Sequence, residues 1–424
     1  MKTKLILMLI LLTMVASAVP AQVTAPRNIA HTRADHALLA IPRYKGGIQG
    51  DTLALMFAQA GTGDHGWVIS TDKGQNYTAV AAQIGQASFD SWYLSDHSCA
   101  WFAGGFHIAY RISTTSDPME YRYIGAPYGA ANREAVDIVG AGTDTYFPII
   151  VASGADDVWI FNLETNANGN LRYWHSTDRF ESDVTIGRVY QASLNETTQN
   201  GLRIGAVLKE DGYPEVVAFQ FGTTYTHSFM RFRYNGSSWD STTMYADNSL
   251  GAGDRGYGHV SMNGRSHLVY HDNDNGYVYH VGETAGGSFT RTVVSQAVYA
   301  GNANPQLSVY GSGPTARLYA VWNCTDGGDL VVSKSFTEAD GWDADSVRIM
   351  EPGYSPSSAQ LMPLVPADYS YIPVYFYSTT RDSIYVVQLD ASGGTSTDPV
   401  PPEQIDDLGA APGDDEGSVR LTWT

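Results

Sequence analysis

Two side chains that could carry out acid–base chemistry are adjacent early in the chain. Asp64 and His65 lie within the run Gly63-Asp64-His65-Gly66. A carboxyl group and an imidazole can donate and accept protons at a sugar oxygen, which is the chemistry that cleaves a glycosidic bond. The flanking glycines equally suit a polar hairpin loop that does no chemistry. We therefore treat Asp64 and His65 as candidate catalytic residues, with a simple loop as the alternative.

A second candidate group is rich in histidine and tyrosine. A Tyr or His base beside a cation that neutralises a uronate carboxylate is the chemistry of a polysaccharide lyase. Along an alternating strand, however, His267 and His271 face one side and Tyr270 faces the other. An aromatic ladder packed inside a sheet explains these residues better than a lyase site does. The whole group comprises Arg265, His267, Tyr270, His271 and His280.

The sequence offers few sites that could bind a metal ion. The run DNDNG at residues 272–276 offers the carboxylate and amide oxygens that Ca²⁺ prefers. Its glycine comes one position too early for an EF-hand and a strand pattern follows directly, so we reject an EF-hand and keep a turn-bound calcium at Asp272 and Asp274. The two cysteines, Cys99 and Cys324, allow at most one disulfide and are too few for a cysteine-based metal site. No other cofactor is indicated.

Four aromatic residues in the first quarter of the chain could form a binding surface. Flat rings stack on the C–H faces of sugars, while nearby Asp and Asn side chains hydrogen-bond to the hydroxyls. Any one of these rings could instead pack inside the fold. We predict a carbohydrate platform that includes Trp67, Trp92, Tyr93 and Trp101.

These candidates must be positioned by β-strands. The chain has 43 glycines and 27 tyrosines, only 16% of its residues are charged, and helical periodicity is missing, which excludes an all-helical protein. Trp239, Phe289 and Trp342 recur at a spacing of about fifty residues, and Gly, Asn and Asp turns separate short strands within each repeat. This pattern predicts an all-β propeller, with a pair of sandwiches as the alternative. Seven strand starts favour seven blades over six: Leu53, Trp101, Phe147, Ile204, His267, Leu318 and Ile372.

One eight-residue turn carries the most specific motif. Residues 70–77 read STDKGQNY, in which Ser70 and Asp72 can hydrogen-bond to the local backbone, Gly74 permits a positive φ angle and Tyr77 can pack beneath the turn. The run resembles the Asp-box, Ser-x-Asp-x-Gly-x-x-Trp, which is the BNR repeat of sialidase-like propellers, with tyrosine in place of tryptophan. The resemblance implies a propeller in which these residues stabilise a blade and do no chemistry.

The resemblance to the sialidase family extends beyond this turn. A degenerate second copy occurs at residues 176–180 (STDRF), where the Arg-Phe pair departs from the motif. Upstream, residues 39–55 are similar to the family's first blade, in which an arginine of an Arg-Ile-Pro segment holds the substrate carboxylate. Here Ala40 occupies that position and Arg43 is out of register. The loss of a bidentate arginine argues against sialidase activity. The family's acid/base aspartate falls in the loop before the Asp-box strand, where Asp64 is the only candidate.

The N-terminus predicts export. Met1 to Lys4 is a short basic region, Leu5 to Val15 is apolar, and Ala16-Ser17-Ala18 is a small-residue cleavage pattern. We predict a signal peptide over residues 1–21, no transmembrane segment, and a secreted or cell-surface location. The formal net charge of −19, without any basic run, disfavours nucleic acid and anionic lipid as partners.

The rest of the chain divides into three regions. We assign residues 22–389 to the propeller and 390–402, which are Gly/Ser/Thr-rich and then Pro-rich, to a linker. Residues 403–424 resemble the first two strands of a fibronectin type III module, with Val419 and Leu421 alternating on the second strand. So short a segment cannot bury a core, and we expect it to be the incomplete start of a β-sandwich.

These features favour a secreted, sialidase-like propeller that binds a glycan, a polysaccharide or a surface. One alternative is a glycoside hydrolase or polysaccharide lyase that uses the axial pocket. Another is a structural scaffold for a further C-terminal region. Axial carboxylates with Arg or Tyr would favour an enzyme, whereas an apolar channel and exposed aromatic rings would favour binding.

Overall fold

The computed structural model describes residues 26–31, 46–58, 65–82, 97–102, 104–111, 119–125, 136–138, 145–164, 170–190, 204–220, 227–247, 250, 257–272, 274–296, 305–324, 330–343, 347–349, 356–378, 381, 383–391, 409–412 and 419–422. Several sequence predictions fall outside these residues. They concern the signal peptide, the segment 39–43, Asp64, Trp92, Tyr93 and residues 392–402 of the linker.

Apart from a C-terminal hairpin, the described strands form seven sheets around a common axis, and each of these sheets is one blade. The first strand is β1 (Arg27–His31). Blade 1 contains β2 (Gly46–Gln49), β3 (Thr52–Ala58), β4 (His65–Ser70) and β5 (Thr78–Ala82). Blade 2 contains β6 (His97–Phe102), β7 (Gly105–Arg111), β8 (Met119–Gly125) and β9 (Val136–Asp137). Blade 3 contains β10 (Thr145–Ala152), β11 (Val158–Glu164), β12 (Asn170–Ser176) and β13 (Thr185–Arg188).

The remaining blades follow in chain order. Blade 4 contains β14 (Ile204–Leu208), β15 (Pro214–Gln220), β16 (His227–Tyr234) and β17 (Trp239–Asp247). Blade 5 contains β18 (Tyr257–Met262), β19 (Arg265–His271), β20 (Val278–Glu283) and β21 (Phe289–Ser295). Blade 6 contains β22 (Gln306–Tyr310), a 3₁₀ turn (Gly313–Thr315), β23 (Arg317–Cys324), β24 (Leu330–Thr337), β25 (Gly341–Trp342) and β26 (Val347–Arg348). Blade 7 contains β27 (Pro356–Leu361), β29 (Tyr371–Ser378) and β30 (Ser383–Asp390), while β28 (Leu364–Val365) pairs with β22 of blade 6.

The N-terminal strand closes the ring. β1 is not part of blade 1 but is the outermost strand of blade 7, where it pairs antiparallel with β30. The register places Arg27 opposite Val386 and His31 opposite Ser383. Nη2 of Arg27 also donates to the carbonyl of Gly74 in blade 1 at 2.9 Å. The first described strand therefore joins the last blade to the first through hydrogen bonds.

The apolar core lies between the blades. Both faces of a blade meet a neighbouring blade, so both must carry apolar side chains. Between blades 1 and 2, the ring of Phe106 lies 5.4 Å from that of Trp67 and 4.8 Å from that of Trp101. Between blades 4 and 5, the ring of Phe229 lies 5.3 Å from Tyr257 and 5.0 Å from Tyr270. Each interface is thus a separate layer of the same radial core.

The predicted blade number of seven is confirmed. The seven strand starts expected from the sequence fall in seven different blades, in chain order. The recurring aromatic residues also occupy matching places, since Trp239 opens β17, Phe289 opens β21 and Trp342 ends β25. Each of these strands lies at the outer edge of its blade. The presence of seven blade sheets excludes the six-bladed alternative.

The turn at residues 70–77 joins β4 to β5 and is held by two side chains. The Ser70 hydroxyl accepts the backbone N–H of Gly74 at 2.8 Å and donates to Oδ1 of Asp72 at 2.7 Å. Oδ1 of Asp72 accepts the backbone N–H of Asn76 at 2.8 Å. Gly74 adopts a φ of +83°, which a glycine reaches without steric cost. The Tyr77 hydroxyl meets that of Tyr375 in blade 7 at 3.1 Å.

The turn after β12 has the same hydrogen bonds although its sequence departs from the motif. The Ser176 hydroxyl accepts the backbone N–H of Phe180 at 2.7 Å and donates to Oδ1 of Asp178 at 2.8 Å. Phe180 stands where the first turn has glycine, with a φ of +65°. Its ring is buried and lies 5.0 Å from that of Tyr121 in blade 2. Packing of the phenyl ring offsets the backbone strain of that conformation.

The described C-terminal region is a short hairpin. β31 (Gly409–Pro412) pairs antiparallel with β32 (Val419–Thr422), and Ala410 lies opposite Leu421. Two strands of this length have no core of their own. Assignment of this segment to a fibronectin type III module stays a prediction. Within the described ranges, no helix has the length and apolar character needed to cross a membrane.

The two serine-centred turns provide a stability test. We expect Ser176→Ala and Ser70→Ala each to lower the free energy of unfolding by about 1–3 kcal/mol, because each leaves a buried N–H without its acceptor. Thr71→Ala, which removes an exposed hydroxyl from the first turn, should change it by less than about 0.5 kcal/mol. Denaturant unfolding measures all three. Equal effects of Ser176→Ala and Thr71→Ala would show that the serine hydroxyl does not hold the turn.

Candidate functional site

An axial cavity of about 350 Å³ is lined by the inner strands of the blades. It opens at the face where the first and second strands of each blade connect, and we call this the turn face. Leu364 is 52% exposed at the mouth, and the exposed residues Glu210 and Ser312 lie beside it. The walls are mainly apolar. Residues from all around the ring contribute, for example Ile48, Trp101, Val151, Leu208, Met262, Val309 and Leu364.

Lys209 and Glu210 are the charged side chains among the described wall residues. Nζ of Lys209 is held by Oδ2 of Asp211 at 2.6 Å. Glycoside hydrolysis requires two carboxyl groups about 5–9.5 Å apart across the bond that breaks. The described walls supply the single carboxylate of Glu210. This part of the cavity therefore lacks the groups for hydrolysis and has the apolar character expected of a binding cavity.

The aromatic residues predicted to bind sugar are buried or lie outside the described residues. The ring of Trp67 is fully buried between blades 1 and 2, so it cannot stack on a ligand, which corrects the prediction for this residue. Trp101 lines the cavity but is only 6% exposed, because its ring packs on Phe106. His65 begins β4, and its side chain is outside what the structure describes, as are Asp64, Trp92 and Tyr93.

The histidine and tyrosine group of blade 5 is divided between two interfaces, as strand alternation predicts. His267 and His280 stack in parallel, with Nδ1 of His267 and Nε2 of His280 3.0 Å apart, on the side of Phe336 in blade 6. Tyr270 packs against Phe229 of blade 4 on the other side. Burial lowers the pKa of His280 to about 3 and that of His267 well below its usual value, so both are neutral at neutral pH. These residues form core packing and do not assemble into a lyase site.

The acidic turn considered for calcium is satisfied by protein groups. Oδ1 of Asp272 accepts the backbone N–H of Asp274 at 3.0 Å, and Oδ2 accepts the Asn275 amide at 2.9 Å. Arg291 pairs with Oδ2 of Asp272 at 3.0 Å. Among the described residues, no group of three or more His, Cys, Asp and Glu side chains could hold a metal ion. A calcium ion at this turn stays a prediction.

A cluster of partly exposed aromatic rings lies between blades 3 and 4. We call Tyr173, Tyr213, Tyr234 and Trp239 the aromatic strip. The rings of Tyr213 and Tyr234 lie 5.7 Å apart, those of Tyr234 and Trp239 5.2 Å, and those of Tyr173 and Trp239 5.7 Å. All four pack around Trp159 or against one another, and Tyr213 is 40% exposed. The strip thus presents contiguous ring surface at the turn face.

Two glycines let the tyrosines of the strip lie against the backbone. A Cβ at Gly187 would be 2.6 Å from the Tyr173 ring, and one at Gly236 would be 2.9 Å from the Tyr213 hydroxyl. Gly236 also has a φ of +94° in the turn before Trp239. The sequence contained a partial signal for this site, because aromatic residues flank the Asn-Gly and Asp-Gly turns of blade 4. The spacing of Trp239 relative to Phe289 and Trp342 is the feature that distinguishes it in the sequence.

A polar pair adjoins the strip. Nε2 of His175 meets Oδ1 of Asp157 at 2.7 Å, and the His175 ring stacks on Trp159 with centroids 3.8 Å apart. The hydrogen bond from His175 lowers the pKa of the Asp157 carboxyl below its usual value. The side chains of His175 and Asp157 are 23% and 43% exposed. They can therefore hydrogen-bond to a ligand that lies on the strip.

The equivalent interface between blades 4 and 5 has a different chemistry. By register, Glu215 and Arg233 of blade 4 occupy the places of Trp159 and His175 in blade 3. Arg233 pairs with Glu215 and, at 2.7 Å, with Glu283 of blade 5, and Nε2 of His259 meets Oε1 of Glu215 at 2.7 Å. These charged groups satisfy one another and fill the interface. Of these two interfaces, only the one between blades 3 and 4 has a described aromatic residue as exposed as Tyr213, at 40%.

The fold is similar to that of known glycan-related proteins. No protein-family model and no curated protein matches the sequence. A polysaccharide lyase of family PL25, an ulvan lyase bound to -[GlcA(1-4)Rha3S]-, superposes with a TM-score of 0.62 at 10% identity over 86% of this chain and 95% of that chain. The BP39L lectin from Burkholderia pseudomallei superposes with a TM-score of 0.56 at 12% identity over 84% of this chain and 98% of that chain. These superpositions show a shared propeller fold, and at identities this low they show the fold alone.

The buried ion-pair cluster predicts acid sensitivity. Burial alone would raise the pKa of Glu215, but its hydrogen bonds and charge interactions with His259 and Arg233 outweigh burial and lower it to about 2. Because the folded pKa is depressed, the stabilisation is present above the unfolded value of 4.5 and is lost as the pH falls from there toward 2. We expect the free energy of unfolding to decline across this window. Glu215→Gln should flatten the decline, and an unchanged pH profile in denaturant titrations would contradict the assignment.

Proposed function

We propose that this protein is an extracellular glycan-binding propeller that holds a sugar on the aromatic strip. The observation that carries this proposal is the group of four partly exposed rings between blades 3 and 4, beside the His175–Asp157 pair. An aromatic face receives the C–H face of a sugar ring, and the polar pair hydrogen-bonds to its hydroxyls. The predicted secretion signal is consistent with a ligand outside the cell.

Charge favours a neutral glycan. The chain has a net charge of −19, and two cations near the strip are already paired, Lys209 with Asp211 and Arg233 with Glu215 and Glu283. A sulfated or uronate-rich polymer would meet repulsion without a local basic patch. The fold supports glycan binding in general, since a lectin and a polysaccharide lyase share it. Among possible glycan ligands, the negative charge of the protein favours neutral sugars.

Catalysis is the second candidate, and the similarity to a polysaccharide lyase is the observation that favours it. The described histidine–tyrosine pair of blade 2 does not support it, because His107 and Tyr121 are both buried, with Nδ1 of His107 2.9 Å from the Tyr121 hydroxyl. Burial lowers the pKa of His107 to about 3. A pair closed to solvent cannot reach a polymer.

We also infer a domain plan. It comprises a signal peptide at 1–21, the propeller at 22–389, a linker at 390–402 and the start of a fibronectin type III module at 403–424. The matching hydrogen bonds of the turns at Ser70 and Ser176 support assigning both to the Asp-box type of sialidase-like propellers. In this plan the propeller is the ligand-binding unit.

The strip can be tested by glycan binding. The full chain is applied to immobilised neutral polysaccharides, with sialosides and acidic polysaccharides alongside, and bound ligands are titrated by calorimetry. We expect Tyr213→Ala to weaken binding of a neutral glycan by about five- to thirtyfold, because one stacking face is lost. Trp239→Phe should weaken it less, since a smaller ring remains. Tyr277→Ala, the same change in a partly exposed tyrosine of blade 5, is the matched control and should leave affinity unchanged.

Two outcomes would overturn the proposal. One is equal loss of affinity in Tyr213→Ala and Tyr277→Ala, which would place the sugar elsewhere. The other is turnover, read in the same samples as new reducing ends or as the ultraviolet absorbance of unsaturated uronates. Turnover abolished by Asp64→Asn would make the protein an enzyme and would assign Asp64 a catalytic role.

A further inference from the structure

The axial cavity has a chemistry that differs from that of the aromatic strip. Its volume of about 350 Å³ falls within the range of small-molecule pockets. Apolar side chains of blades 1 to 6 line the cavity. They include Ile48, Ala100, Ile149, Val151, Val260 and Met262. The cavity is therefore large enough for a small ligand and is lined for an apolar one.

A sugar is a poor match for these walls. A hydroxyl that is buried without a partner costs about 1–3 kcal/mol, and a sugar carries one on most of its carbons. The uncharged polar side chains of the wall are Ser98, Ser261, Asn263 and Ser312, and the Ser98 hydroxyl already accepts the Ile150 N–H at 3.2 Å, so few groups remain to pair with the hydroxyls of a sugar. An occupant with an apolar body avoids this cost and gains from leaving water.

The mouth of the cavity adds a charge preference. Lys209 and Glu210 both line it, but Nζ of Lys209 is neutralised by Asp211 at 2.6 Å. Glu210 is exposed, and no ion pair joins it to another described residue. The overall charge of −19 acts in the same direction. A positive group at the mouth would therefore be attracted and a negative one repelled.

We propose that the axial cavity binds a small amphiphile with an apolar body and a cationic amine end. The apolar body occupies the cavity, and the ammonium group lies at the turn face beside Glu210. This site is separate from the aromatic strip. Tyr213 follows Lys209 and Glu210 in the same turn of blade 4, so the two sites are neighbours on one face.

The test uses a fluorescent apolar probe, N-phenyl-1-naphthylamine, with the full chain at neutral pH. Octylamine, octanol and octanoate, which share one chain length, compete for the site. We expect octylamine to displace the probe at the lowest concentration and octanoate at the highest. Glu210→Gln should weaken the binding of octylamine by roughly two- to fivefold, which corresponds to the loss of one exposed ion pair. The affinity for octanol should stay unchanged. Glu181→Gln, the same change at an exposed glutamate of blade 3, should alter neither.

Filling the cavity provides the second arm. Ala100→Phe and Ser261→Phe enlarge two partly exposed wall residues in blades 2 and 5. Each should abolish probe binding while thermal unfolding and glycan binding at the strip stay as in the unaltered protein. Probe binding that survives both changes would place it outside the cavity and overturn the proposal. If octanoate competes as well as octylamine, the proposed cationic preference is wrong. This competition experiment uses the unaltered protein and does not depend on whether the filled variants fold.

Discussion

Burial of both faces of every blade is the constraint on which the rest of this structure depends. A four-stranded sheet with two apolar faces is stable only if it has a neighbour on each side, and seven such sheets satisfy this by forming a ring. The N-terminal strand β1 completes the last blade by pairing with β30, so the two ends of the ring are joined. Arg27 adds a bond from that strand to the carbonyl of Gly74 in blade 1. Closure thus depends on a strand that is distant in sequence from its partner.

Once the ring is closed, equivalent positions at successive interfaces can carry different chemistry. The places of Trp159 and His175 in blade 3 hold Glu215 and Arg233 in blade 4 and His267 and Gly282 in blade 5. The backbone is the same because hydrogen-bonded strands and turns support it, while the side chains between blades vary freely as long as they satisfy one another. Function can therefore arise at a single interface without cost to the fold.

The turn face combines two surfaces of different character. The aromatic strip offers ring faces beside a polar pair, which suits a sugar, and the axial cavity offers apolar walls with a carboxylate at its mouth, which suits an amphiphilic amine. Both use the turn that contains Lys209, Glu210 and Tyr213. Their proximity follows from the geometry of a propeller, in which the turn after each inner strand lies at the rim of the axis.

The sequence alone determined the all-β class, the recurrence of blades and the hydrogen-bonding turn at Ser70, because strand alternation and turn chemistry are local. It also separated Tyr270 from His267, since alternation assigns them to opposite faces. It did not reveal that Trp67 is buried, that Phe180 could replace a glycine, or that Tyr173 of blade 3 meets Trp239 of blade 4. Those facts depend on how neighbouring blades rotate and align against each other. Contacts of that kind join residues far apart in the chain and have no local pattern, so only the tertiary structure decides them.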